Sequence, residues 1–118
     1  MALIEKSEVR KVTGINSTYK QRIEDFLQGA VYSWCKNRPN EWFSMRDLMG
    51  GEIFSWGGTP LNELYLKHIN LGKNNSEAIT AAGKDSGWIL KKVIDKDKRL
   101  FNTKKEDLIR KYLWNGQD

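Results

Sequence analysis

Residues 16–37 carry apolar side chains at steps of three and four residues, a spacing that constrains this part of the chain to an amphipathic helix. Asn16, Ser17 and Thr18 offer oxygens for the N-cap, and Thr18 with Gln21 fits a capping box. Asn37 and Pro39 are expected to stop the helix. The face that we expect in the core consists of Tyr19, Ile23, Phe26, Leu27, Ala30, Val31 and Trp34.

Two shorter helices are expected in the middle of the chain. Residues 41–43 predict a short extended piece, after which Ser44 caps a helix that Gly50 and Gly51 end. Thr59-Pro60 predicts the next helix, because Thr suits the N-cap and Pro suits the first helical position. Gly72 closes that helix. His68, in the middle of its apolar face, is expected to be a packed side chain with a satisfied ring nitrogen.

A fourth helix is expected from a Ser76 cap to residue 95. Gly83 and Gly87 each cost about 1 kcal/mol relative to Ala inside a helix. They indicate either a continuous helix with close packing or a break with Asp85 as a new cap. The predicted core face comprises Ile79, Ala82, Ser86, Ile89, Leu90, Val93 and Ile94.

Residues 103–114 support two predictions. Thr103 and Glu106 fit a capping box, and the apolar residues that follow lack the alternation typical of a strand, which favours a terminal helix. The alternative is a β-hairpin that runs from 99 to 102, turns at 104–107 and returns through 108–113.

Length and composition predict a single small domain. The chain has 118 residues, which suits one domain. We expect a partly ordered arm at 1–14, a helical domain at 15–114 and a tail at 115–118. No apolar run is long enough for a transmembrane helix or a secretory signal, so we expect a cytoplasmic protein without a membrane partner. Cys35 is the one cysteine, which excludes an internal disulfide.

The sequence contains no recognisable catalytic or cofactor motif. Phosphate-binding glycine loops, nucleophile elbows and paired metal-ligand motifs are all missing, so we expect no enzyme activity, no metal and no cofactor.

Positive charge is concentrated in the second half of the chain. Residues 1–66 are neutral, whereas residues 67–118 hold twelve Lys/Arg and seven Asp/Glu, which accounts for the whole net charge of +5. Such a field favours an acidic partner.

The polar side of the fourth helix is the most informative candidate site. A projection at 100° per residue places Trp88 opposite the predicted core, among Lys84, Lys91 and Lys92. An exposed indole among ammonium groups suits stacking on a base while lysines hold phosphates, or anchoring of a protein interface. The alternative is that the terminal helix or the N-terminal arm covers Trp88.

Residues 60–71, the turn at 72–75 and the helix from Ser76 have the lengths of a helix-turn-helix unit. His68 departs from that pattern, which has a small residue at its position. The order of the predicted elements over residues 16–113 resembles the winged-helix class of small DNA-binding proteins. This resemblance implies DNA binding, with Lys104 and Lys105 at the tip of a wing if residues 99–111 form the hairpin.

We therefore expect a mostly α domain of four or five helices, helix-turn-helix or winged-helix-like, with or without a small β-hairpin. Its expected function is non-enzymatic binding of nucleic acid, DNA in the first place, with weak sequence specificity because Arg is scarce in the basic half. The alternative is a protein–protein interaction or accessory module that presents Trp88, Trp56 and Phe54 to an acidic protein surface. The expected nucleic-acid contacts are Lys73, Asn74, Ser76, Lys84, Trp88, Lys91, Lys92, Lys104 and Lys105.

Overall fold

Helices make up most of the described chain, followed by one antiparallel β-hairpin. The structure is a computed structural model and describes residues 9–50, 56–114 and 116. Within these ranges the elements are α1 (Ser17–Asn37), α2 (Met45–Leu48), α3 (Asn62–Asn70), α4 (Asn75–Lys96), β1 (Phe101–Glu106) and β2 (Ile109–Trp114).

Some of the predicted helix caps are observed and others are shifted by a few residues. Asn16, one of the three predicted candidates, caps α1 by accepting a hydrogen bond from the backbone N–H of Tyr19, so the N-cap prediction is confirmed and the Thr18 capping box was wrong. Asn74, and not Ser76, caps α4 in a reciprocal box with Glu77. The predicted cap at Ser44 is confirmed.

The third helix begins later than the Thr-Pro signal predicts. The hydroxyl of Thr59 donates to the Trp56 carbonyl, 2.8 Å away, and helps to close a turn before the helix. The backbone N–H of Asn62 then bonds the Thr59 carbonyl at 3.2 Å, and α3 itself begins at Asn62. The Thr-Pro pair therefore marks the approach to α3 and not its first turn.

Helices α1, α3 and α4 enclose the core. The predicted inner face of α1 is confirmed at Ile23, Leu27 and Val31, which are fully buried. Helix α4 is continuous through Gly83 and Gly87, and its buried side is broader than predicted. The full set of buried side chains on α4 is Ala78, Ala82, Ser86, Ile89, Leu90, Lys91, Val93 and Ile94.

Two residues of α4 contradict the predicted division into core and solvent sides. Ile79, expected in the core, is 54% exposed, and Lys91, expected in solvent, is only 6% exposed. The helix packs against α1, α2 and α3 together, so more of its circumference is covered than a two-sided amphipathic pattern assumes.

Residues 101–114 form a hairpin, so the preferred terminal helix was wrong. Phe101 pairs with Trp114 and Glu106 with Ile109, and the two-residue turn is Asp107–Leu108. The alternative hairpin prediction had the right topology and placed the turn too early.

An aromatic cluster attaches the hairpin to the helices and explains why it forms. Phe43 exchanges two backbone hydrogen bonds with Tyr112, of 2.9 and 2.8 Å, which confirms an extended residue before α2. The Phe43 ring lies 5.9 Å from that of Tyr112 and 6.2 Å from that of Phe101, and all three side chains are buried. Burial of these rings offsets the helical preference of the local sequence.

Polar contacts lock α3 against α4. Nε2 of His68 lies 2.7 Å from an Asp85 carboxylate oxygen, and the Lys67 ammonium lies 2.8 Å from the same oxygen. The expectation of a packed histidine with one satisfied ring nitrogen is confirmed.

The one cysteine, Cys35, lies in the core on α1. Its side chain is 2% exposed, and burial raises the pKa of its thiol to about 11.

The N-terminal segment contributes to the core where it is described. Val12 is 6% exposed and packs in the main hydrophobic cluster, and its carbonyl accepts a hydrogen bond from the Lys20 ammonium at 2.8 Å. Residues 1–8 of the expected arm and most of the expected tail at 115–118 lie outside the described residues.

None of the described helices combines the length and apolar character needed to cross a bilayer.

Candidate nucleic-acid interface

A wide cleft separates α4 from the hairpin tip, and cationic, small and apolar or aromatic residues all line it. It has a volume of about 1000 Å³, with α2 and Trp56 along one border. No Asp or Glu is among the described residues that line it. We call it the cationic cleft, after its six cationic residues Arg10, Arg46, Lys84, Lys91, Lys105 and Arg110.

Four of these cations lack a carboxylate partner among the described residues. Arg46 lies on α2, Lys84 on α4, and Lys105 and Arg110 on the hairpin, and none forms an ion pair within the described ranges. Three separate elements thus direct positive charge at one space. Like charges collected in a cleft raise the local positive potential and favour an anionic ligand.

The hairpin has one cationic face towards the cleft. Lys105 on β1 is directly opposite Arg110 on β2, a like-charge pair that destabilises a sheet unless an anion lies nearby. The same face carries Thr103, whose hydroxyl lies 3.3 Å from an Arg110 guanidinium nitrogen. This contact orients Arg110 and leaves its positive charge uncompensated.

The opposite face of the hairpin compensates its charges internally. Lys104 and Lys111 also form a cross-strand like-charge pair, but Glu106 lies 2.7 Å from the Lys111 ammonium and 3.4 Å from that of Lys104. These hydrogen bonds, with Lys111 first, hold the pKa of Glu106 below its ordinary value. The Lys104 ammonium also lies 4.3 Å from the ring centroid of Trp42.

Trp88 is half-buried against the core, not standing in solvent as projected. The Arg10 guanidinium lies 4.9 Å from its ring centroid, and the Lys91 ammonium lies 5.2 Å from it. Arg10, which covers one side of the ring, belongs to the N-terminal segment. The N-terminal arm was one of the two elements that the sequence analysis offered as a cover for Trp88. A ring covered in this way is better suited to holding cations at the cleft wall than to stacking on a base.

The glycines of α4 leave its backbone open to the cleft. A Cβ at Gly83 or Gly87 would meet no atom within 4 Å outside its own helix neighbourhood, so neither glycine is explained by close packing among the described residues. Both line the cleft, together with Thr80 and Lys84. A ligand can therefore approach the helix backbone closely along this side.

The structure brings together only part of the predicted contact set. Lys84, Trp88, Lys91 and Lys105 line the cationic cleft. The others do not line it: Lys92 lies 3.2 Å from Glu24 of α1, Lys104 is on the far hairpin face, and Lys73, Asn74 and Ser76 lie near the start of α4.

Three arginines in the cleft were not predicted, Arg10 from the N-terminal segment, Arg46 and Arg110. Arg110 shares a face with Lys105 only in the observed register, which a turn at 104–107 does not produce. Arg46 follows the Ser44 cap of a four-residue helix, and no local signal directs it towards α4. A turn predicted at residues 107–108 would have given the observed register and so placed Arg110 opposite Lys105; it is the one sequence signal that could have found Arg110.

The residues predicted to anchor a protein interface are not fully exposed. Trp88 and Trp56 are half-buried, and Phe54 lies outside the described residues.

Among the described residues, no three His, Cys, Asp or Glu side chains are grouped as a metal site requires. Comparison with protein-family models, curated proteins and solved structures finds no match to this chain. The chemistry of the cationic cleft is therefore the basis for inferring what the protein binds.

Proposed function

We propose that this protein is a non-enzymatic DNA-binding protein that holds the sugar–phosphate backbone of a duplex in the cationic cleft. The observation that carries the proposal is the group of Arg46, Lys84, Lys105 and Arg110 around a cleft without a described carboxylate. Phosphates neutralise such a group and release counterions, which is the main source of sequence-independent affinity for nucleic acids.

The order of elements also supports a winged-helix-like arrangement. A long helix is followed by one extended residue, Phe43, that pairs with the last strand, then by further helices and the hairpin. In this arrangement α4 is the helix that faces the major groove, and the hairpin lies beside the backbone.

The duplex is favoured over a single strand because the four aromatic rings that line the cleft are at least partly buried. Trp56, Tyr65 and Trp88 are half-buried and Tyr112 is fully buried, whereas single-strand binding relies on accessible aromatic rings. Weak sequence specificity follows from the side chains that α4 presents. Thr80 and Gly83 cannot make the bidentate base contacts of Arg, Lys, Asn or Gln, which leaves Lys84, and the side-chain oxygen of Asn75 already accepts a hydrogen bond from the Tyr65 hydroxyl at 2.6 Å.

A titration with matched variants tests this function. Fluorescence anisotropy of a labelled mixed-sequence duplex is measured at several salt concentrations for the wild type, for Lys84→Ala/Lys105→Ala and for Lys36→Ala/Lys98→Ala. All four lysines are exposed and both variants lose two charges, but only the first pair lines the cleft. We expect the slope of log affinity against log salt to fall by about two for the cleft pair and to stay unchanged for the control.

Two results would contradict the proposal. The first is absence of duplex binding by the wild type even at low salt. The second is an equal loss for both double variants, which would mean that net charge alone, and not the cleft, attracts DNA. A protein partner becomes the better explanation if Trp88→Ala or Trp56→Ala abolishes a protein complex that Lys84→Ala/Lys105→Ala leaves intact.

A further inference from the structure

The tip of the hairpin has an unusual residue in its turn. Asp107 and Leu108 connect Glu106 to Ile109, and both have a positive φ, of 51° and 65°. A two-residue turn with two positive φ values normally contains Asn-Gly or Asp-Gly, because a left-handed backbone is costly for most side chains. Asp suits the first position. Leu108 stands where glycine is expected, so the turn carries strain that a glycine would remove.

Burial does not compensate this strain. Leu108 is 89% exposed, more than any other exposed large hydrophobic side chain in the described part of the chain. A solvated leucine in a strained turn is unfavourable twice over and gains no packing from the described residues. We infer that the side chain is placed for contact with a partner outside the chain.

The surroundings of Leu108 indicate the chemistry of that partner. Leu108 lines the cationic cleft beside the Lys105–Arg110 pair. Two carboxylates lie close by: Asp107 in the turn itself, and Glu106, which is on the far face with Lys104 and Lys111. Residues 104–111 hold four cationic and two acidic side chains, so the tip keeps a positive balance. An apolar side chain flanked by cations matches the stacked bases and flanking phosphates of duplex DNA.

We propose, resting on the DNA-binding function above, that Leu108 is an apolar wedge that enters a base step from the minor groove. Leucine side chains inserted in this way partly unstack the step and bend the duplex towards the major groove. The Lys105–Arg110 pair holds the phosphates beside the opened step, and the bend brings more of the duplex against the cleft. The protein is then an architectural DNA-binding protein whose wedge is the hairpin tip.

Bending and binding are measured on the same duplex. A duplex of about 30 base pairs, the length range of a bent site, carries a donor and an acceptor dye at its two ends, so energy transfer reports the bend and anisotropy reports binding. We expect the wild type to bend it by about 20–90°. Leu108→Met keeps an apolar wedge and should bend the duplex as well. Leu108→Gly should bind with an unchanged salt slope and leave the duplex straight.

The glycine variant also separates a wedge from a structural role. Because Leu108 is exposed and its φ suits glycine, Leu108→Gly should melt at the same temperature as the wild type or higher. A lower melting temperature with changed far-ultraviolet circular dichroism would assign Leu108 to the fold and overturn the wedge.

The remaining outcomes distinguish the two proposals. If the wild type does not bind the duplex, DNA binding and the wedge are both wrong. If it binds without bending the duplex, or if Leu108→Gly bends the duplex as the wild type does, only the wedge is wrong. Binding of the wild type, but not of Leu108→Gly, to vesicles of anionic phospholipid, together with an unbent duplex, would assign the tip to a membrane surface and overturn the wedge.

Discussion

The two faces of the β-hairpin have almost the same basic composition and opposite electrostatic arrangements. On the far face, Lys104 and Lys111 share the Glu106 carboxylate. On the cleft face, Lys105 and Arg110 are also directly opposite each other, and no described carboxylate pairs with either of them. One like-charge pair therefore shares a carboxylate within the chain, whereas the other has no carboxylate partner among the described residues.

This difference teaches that location, and not the number of lysines, defines the candidate site. The net charge of +5 lies in the second half of the chain, but much of the basic surface there is already paired. Lys92 is paired with Glu24, and Arg99 with Asp97. Four cations without a described carboxylate partner, Arg46, Lys84, Lys105 and Arg110, surround one cleft, and that is where an anionic ligand contacts several of them at once.

The largest expected effect comes from detaching the hairpin. Phe43 is fully buried between the rings of Trp34, Phe101 and Tyr112, so Phe43→Ala should lower the free energy of unfolding by about 3–5 kcal/mol. Urea denaturation measures the loss. Tyr32→Ala is the control, because that ring is 50% exposed and its removal should cost less than about 1 kcal/mol. Equal losses would show that the aromatic cluster does not hold the hairpin.

Adjacent lysines on the two hairpin faces give the most direct comparison. Lys105→Ala should lower the salt slope of duplex binding by about one, since one phosphate contact disappears. Lys104→Ala should leave the slope unchanged, because Lys104 points away from the cleft and Lys111 still pairs with Glu106. Anisotropy titrations measure both. Equal slopes for the two variants would remove the distinction between the faces.

A smaller effect is expected on the free protein. Lys105→Glu converts the like-charge pair with Arg110 into an opposite-charge pair, so it should stabilise the protein by roughly 0.2–1 kcal/mol while weakening duplex binding. Lys104→Glu also creates an opposite-charge pair, with Lys111, but it places a second carboxylate beside Glu106, so its gain in stability should be smaller. Thermal denaturation at low salt measures both changes. Destabilisation by Lys105→Glu would mean that the cleft pair is not repulsive.

The smallest expected effect is the pH dependence due to Glu106. Its pKa is lowered in the folded state, so its contribution to stability is present above its ordinary value of 4.5 and is lost as the pH falls through the lowered value. Denaturation curves between pH 2 and 7 should therefore be flatter for Glu106→Gln than for the wild type. Parallel curves for the two proteins would show that the far-face pairing does not contribute to stability.

Local patterns in the sequence predicted most of the helical framework. The three- and four-residue spacing located α1 from its apolar face, and the Ser44 signal located α2, because helix faces and caps depend on neighbours within a few residues. The same reasoning predicted His68 as a packed side chain, and it is buried. Of the candidate site, it identified Lys84, Trp88, Lys91 and Lys105 but not Arg10, Arg46 or Arg110.

The hairpin shows where local patterns fail. Residues 103–114 satisfy a helix pattern, and Leu108 is a poor residue for its turn, so the strands depend on contacts with distant residues. Burial of Phe101 and Tyr112 against Phe43 overrides the local preference. The observed register then decides which side chains face the cleft, because shifting a strand by one residue moves every side chain to the other face.

The sequence by itself determined the positions of the main helices and the excess of positive charge in the second half, since both depend on composition and short-range spacing. Only the tertiary structure decided that Trp88 is covered by Arg10, that Lys91 is buried, and that Lys105 and Arg110 share a face. These features depend on which elements pack against one another. Such packing is settled by the burial of side chains that lie far apart in the chain, which short-range spacing does not encode.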